Sequence, residues 1–134
     1  MKMTSTQNGG LLSECRRVTP VLSRLGDKWT VLVIAVLREG PRRFNAMKRT
    51  IDGISQQMLT RTLKSLEREG LLTRTTFPTN PPQVQYELTE LGKSLSVPIL
   101  ALGKWVHDHL AEIELSQRRF DRKTESSRAK TSGG

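Results

Sequence analysis

The chain has one cysteine, Cys15, which excludes an intrachain disulfide and a cysteine-built zinc cage and fits a reducing compartment. Long apolar runs are missing too: the longest, Val31–Leu37, falls far short of the ~20 residues a spanning helix needs. The opening MKMTSTQNGG lacks the apolar centre of a signal peptide, so the expected location is cytoplasmic, with no membrane partner. No Ser-His-Asp, Cys-His or phosphate-loop arrangement is legible. His107 and His109 are two apart, which on a helix points them to different faces, whereas a metal pair wants i and i+4. No enzyme, metal site or cofactor is expected; a thiol enzyme built on Cys15 would lack a base, since both histidines lie on a distant helix. Acidic residues are the minority, 13 against 22 basic, leaving a net charge of +9 and a pI near 10.5. That balance favours a polyanionic partner, nucleic acid before anionic membrane.

What is present fits one domain. A length of 134 residues leaves no room for a catalytic domain beside a regulatory one, and 35% apolar residues suffice for a modest core. Residues 1–12 and the basic stretch 119–134 carry no apolar period, so both are expected to be mobile or disordered tails around a domain of residues 13–118. A first helix ends at Gly26. Its start is open: Thr19-Pro20 suits a cap and first-turn proline, while Ser13 could cap an earlier helix kinked at Pro20. Asp27 caps a second helix to Arg38, with Trp29, Leu32, Val33, Val36 and Leu37 as its apolar stripe; Val31, Ile34 and Ala35 make the other face apolar as well, predicting burial on most sides.

Arg42-Arg43-Phe44 fits a very short strand before a third helix over about Asn45 to Thr50, with Phe44, Met47 and Ile51 inward. Asp52-Gly53 marks a turn, and Ser55 caps a fourth helix to Glu69, with Ile54 placed to staple onto Leu59. Leu59, Leu63 and Leu66 form its buried stripe; Gln57, Thr60, Arg61, Lys64 and Arg68 form an outward face with no carboxylate. Leu72 to Phe77 and Val84 to Leu88 read as a hairpin with a proline-stiffened tip. Thr89 then caps a long helix with the stripe Leu91, Leu95, Ile99, Leu102, Trp105, Val106, Leu110 and Ile113, bent at Pro98. The expected class is α+β, mainly α.

Two short helices joined by a turn and followed by a hairpin make a winged helix-turn-helix, whose second helix enters the major groove of double-stranded DNA. Gln56, Gln57 and Thr60 lie where side chains meet base edges; glutamine can pair with adenine and Arg61 with guanine. Arg42, Arg43, Lys48, Arg49, Lys64 and Arg68 read as phosphate contacts. Ser55, Asn80 and Gln83 complete the expected DNA-binding set. The alternative reading of these charges is a solvated basic surface, which eight basic against three acidic residues from Arg38 to Arg68, with a hairpin following, disfavours.

Between about Cys15 and Leu110 the chain resembles the HxlR-type winged-helix regulators of bacteria, relatives of the MarR-type proteins. The matching stretches are LGDKWT from Leu25, GPRRFN from Gly40, ISQQMLT from Ile54, LKSLEREGL from Leu63, PPQVQY from Pro81, YELTELG from Tyr86 and the late Trp105. The resemblance implies a homodimer built by the first and last helices on a pseudo-palindromic operator, most relatives being repressors. Its interface would include Val18, Leu22, Trp29, Leu95, Ile99, Leu102, Trp105, Val106 and Leu110. Dimerisation has an independent motive in the last helix's stripe, longer than a small domain can cover. Three positions depart from the family pattern: Asp27 replaces a usual glycine, Gln83 a frequent arginine, and Arg16 follows Cys15 where proline is common.

Cys15 matches the place of a cysteine in redox-sensing relatives, making an oxidant or electrophile the candidate effector, beside a small molecule near the two tryptophans. Arg16, Arg17 and a nearby helix N-terminus would favour its thiolate; the plainer reading is a small residue packed at the interface. Against the leading expectation of a sequence-specific regulator stands a non-specific nucleoid or protein-interaction module of the same fold.

Overall fold

The computed structural model describes the backbone of residues 12–133 and the side chains of residues 12–129. The chain divides into two units, Met1–Ile99 and Leu100–Gly134. Its elements run α1 (Cys15–Leu25), α2 (Lys28–Arg38), β1 (Arg42–Arg43), α3 (Phe44–Thr50), α4 (Gln56–Arg68), β2 (Leu72–Phe77), β3 (Gln83–Leu88) and α5 (Glu90–Gly133). The expected mainly-α winged helix-turn-helix is the fold observed.

Local chemistry sets most of the boundaries. Asp27 accepts the Trp29 N–H at 3.0 Å, and Ser55 accepts the Met58 N–H at 3.0 Å, each capping the helix that follows. Thr89 does the same for α5, its hydroxyl accepting from the Gly92 N–H at 3.1 Å. The Asp27 departure from the family pattern therefore has a structural role as a cap. For α1 the earlier of the two starts holds, with Glu14 rather than Ser13 at the cap position: the helix begins at Cys15 and carries Pro20 inside it. Residue Gln83, expected in the hairpin tip, belongs to β3 and pairs with Phe77.

The sheet order is β1-β3-β2, all antiparallel, with Arg42 opposite Tyr86 and Leu72 opposite Leu88. The core gathers Val33, Ile34 and Leu37 of α2, Met47 and Ile51, Leu59, Leu63 and Leu66 of α4, and Leu72, Tyr86 and Leu88 of the sheet. Leu59, Leu63 and Leu66 are the stripe expected of α4. In α2 the inward face is Thr30, Val33, Ile34 and Leu37, and Leu32 is exposed. Of the expected stripe only Leu32 lies outside; Trp29 and Val36 are partly buried against the core, and the most buried line is turned toward Thr30 and Ile34, because a helix apolar all round has no polar face to orient it.

The last helix differs from expectation at both ends of its stripe. Ile99 is buried in the core and Leu95 is packed against it, whereas Leu91 is 58% exposed. Ile99 is thus committed inside its own chain, and the expected assignment of it to a dimer interface is corrected. The tail from residue 119, expected to be disordered, is instead helical to Gly133. Neither proline nor glycine interrupts the sequence between Lys104 and Ser132, and Arg, Lys, Glu, Gln and Ala there have high helix propensity. The expected N-terminal tail lies outside the described residues except for Leu12.

Candidate nucleic-acid interface

The outward face of α4 is positioned by the inward one. With Leu59, Leu63 and Leu66 buried, the helical period turns Gln56, Gln57, Thr60, Arg61 and Lys64 to solvent. These five line one open groove of about 570 Å³, and no carboxylate lies among its lining residues. The groove offers amide donors and acceptors, a hydroxyl and two cations, the set that reads base edges and phosphates. Arg68 is exposed in the last turn, outside the groove. The hydroxyl of Ser55 is engaged as the α4 cap, so its expected place in the interface is that of a helix start.

A second cleft, of about 460 Å³, lies between α3 and the tip end of the hairpin, where β3 begins. Arg43, Asn45, Arg49, Pro82 and Gln83 are among its lining residues, so three expected contacts, Arg43, Arg49 and Gln83, are brought together. Asn45 lies in this cleft outside the expected contacts, although its i, i+4 spacing from Arg49 on one helix signals a shared face. Arg42 is not part of this cleft. On a two-residue strand adjacent side chains point to opposite faces, and Arg42 turns back, donating to Glu39 at 3.1 Å and to the Pro41 carbonyl at 3.0 Å. Arg42, expected as a phosphate contact, thus shares its guanidinium with Glu39 and lies apart from the other expected contacts of the cleft. Lys48 is exposed on α3, and Asn80 is exposed at the hairpin tip, where Thr79 donates its hydroxyl to the Pro81 carbonyl at 2.7 Å.

Residues 24–114 match the HxlR-like helix-turn-helix family. The chain belongs to that family. As an HxlR-like protein it is 38% identical over 107 residues to YtfH of Escherichia coli, described as an uncharacterized HTH-type transcriptional regulator, covering 80% of this chain and 85% of the relative. Two solved structures are close in fold. The redox regulator HypR in its reduced form shares 33% identity at a TM-score of 0.67, covering 73% of this chain and 97% of that one. Diamide-treated YodB of Bacillus subtilis shares 37% identity at a TM-score of 0.59, covering 69% and 91%. The HxlR-like chain is a member of a family of transcriptional regulators, with a winged-helix fold.

Away from the α4 face, Cys15 is exposed in the first turn of α1, where Arg17, two positions on, is held by Glu14 at 2.8 Å. Val18, Val21, Leu22 and Leu25 of α1 line an open apolar groove of about 400 Å³. Trp29 packs partly on the core with the Lys28 ammonium 4.6 Å from its ring centroid. In the second unit Leu102, Trp105, Val106 and Leu110 are all exposed, with Trp105 stacked on His109 at 4.4 Å. Among the described residues no helix is long and apolar enough to cross a membrane.

Proposed function

We propose that this HxlR-like chain is a homodimeric, sequence-specific DNA-binding repressor that reads a pseudo-palindromic operator and responds to oxidants or electrophiles through Cys15. The observation that carries the reading is the carboxylate-free groove of α4, where Gln56, Gln57, Thr60, Arg61 and Lys64 meet. Gln57 and Arg61 contact bases; Lys64 and Arg68, with Arg43, Lys48 and Arg49, contact phosphates; Asn80 and Gln83 of the wing reach the backbone or minor groove. The net charge of +9 supports a polyanionic partner.

Two exposed apolar surfaces support pairing of subunits: the α1 groove around Val18 and Leu22, and the α5 face of Leu102, Trp105, Val106 and Leu110. A dimer presents two α4 helices to half-sites roughly 34 Å apart. Redox response is supported by the exposed thiol of Cys15 on α1 and by the chain's similarity to HypR, a redox regulator. Oxidation would end in a disulfide across the dimer or a mixed disulfide with a small thiol. In vitro selection of bound DNA at stated salt, with reduced and with diamide-treated protein, tests all three points. A symmetric motif, a solution mass of two chains and a diamide effect lost in Cys15→Ser are expected. A specificity ratio near unity would instead mark a non-specific nucleoid module.

A further inference from the structure

We propose that the ion pair between Arg24 and Glu69 is a strut through which α1 sets the orientation of α4, making both residues positioning residues for DNA reading. The inference rests on α4 being the recognition helix. Glu69 stands at the end of that helix, its N–H bonded to the Ser65 carbonyl at 3.1 Å, and Gly70 follows with φ 81. Its carboxylate, on a side chain only 17% exposed, accepts from the Arg24 Nε at 2.5 Å. Arg24 lies in the last turn of α1, 45 positions away. The other ion pairs among the described residues join positions at most four apart and hold only local geometry.

Among the described residues little else fastens α1. None of its side chains is buried. Leu25 packs partly on the core, and the Arg24 carbonyl accepts the Thr30 hydroxyl at 3.2 Å. All of these attachments lie in the last turn, while Val18, Val21 and Leu22 face the open groove. A helix held at one end moves as a lever when its free apolar face is repacked. The charge-assisted bond passes that movement to the end of α4, a rigid helix of about 20 Å whose far end carries Gln56 and Gln57. A small tilt at Glu69 therefore displaces the base-reading side chains most.

The Arg24 side chain stays 40% exposed, and an ion pair open to solvent on one side adds little to global stability, so orientation and stability separate experimentally. Full-length wild type, Arg24→Gln, Glu69→Gln and the exchanged pair Arg24→Glu/Glu69→Arg are titrated at fixed salt against the duplex that wild type selects and against a scrambled duplex, with thermal midpoints alongside. Each single variant should lose about fivefold or more on the selected duplex, keep its midpoint, and leave scrambled binding near wild type, with the exchange restoring preference. A simple charge effect runs otherwise: Arg24→Gln would weaken and Glu69→Gln strengthen binding to both duplexes. That pattern overturns the strut, as does selected-duplex affinity unchanged in both single variants. If a single variant unfolds, the exchanged pair decides, since a restored fold without restored preference also overturns it. Wild type that prefers no duplex overturns the recognition-helix reading itself, and the strut with it.

Discussion

Thr89 donates its hydroxyl to the Gly70 carbonyl at 2.7 Å, joining the end of α4 to the start of α5. The backbone repeats the link, the Thr89 N–H reaching the Leu71 carbonyl at 3.0 Å. The same Thr89 oxygen accepts from Gly92, so one side chain both caps α5 and holds the residue that terminates α4. A winged helix needs this joint rigid, because the wing strands leave α4 and enter α5 through it.

Thr89→Val removes the cap and the link together and should cost about 1–2 kcal/mol of stability. Thr89→Ser keeps both bonds and should stay within about 0.5 kcal/mol of wild type. Urea midpoints of the two variants check the contrast.

Gly92 is required for closeness. A Cβ there would lie 2.0 Å from the Leu71 carbonyl oxygen and 3.1 Å from Leu88 Cδ2. Helix propensity favours alanine over glycine by about 1 kcal/mol, yet the clash is with backbone that is itself hydrogen-bonded to Thr89. Gly92→Ala should therefore destabilise by about 2 kcal/mol or more, read as a lowered thermal midpoint.

The α4 face predicts two kinds of loss. Gln57→Ala and Arg61→Ala should each cost about 1–3 kcal/mol on the selected duplex and relax base preference at one position. Lys64→Ala should weaken all duplexes alike and lower the salt slope by about one. Selection and salt titration on the same variants distinguish the two roles.

Tyr86 is the one tyrosine of the chain, and burial raises its phenol above the ordinary 10.0, with Arg74 opposing and Glu67 assisting. The folded state thus holds the proton to higher pH than the unfolded state does. Its contribution is complete below pH 10 and is lost as pH climbs through the raised folded value. Denaturation midpoints should fall above pH 10 more steeply in wild type than in Tyr86→Phe, and equal slopes would remove the prediction.

Residues near one another in the chain made much of this protein readable beforehand. Ser55, Asp27 and Thr89 cap helices because a hydroxyl or carboxylate reaches an N–H two or three positions on, a distance no tertiary contact sets. The α4 stripe and its basic face follow from one period of 3.6. Arg42 and Arg43 are neighbours with different fates, since Glu39 takes the first and strand pairing sends the second into the wing cleft. Folding alone chose which side of α2 faces inward, drew Ile99 into the core while leaving Leu91 outside, and brought Arg24 to Glu69. Those outcomes depend on partners far along the chain, and local periodicity holds no information about them.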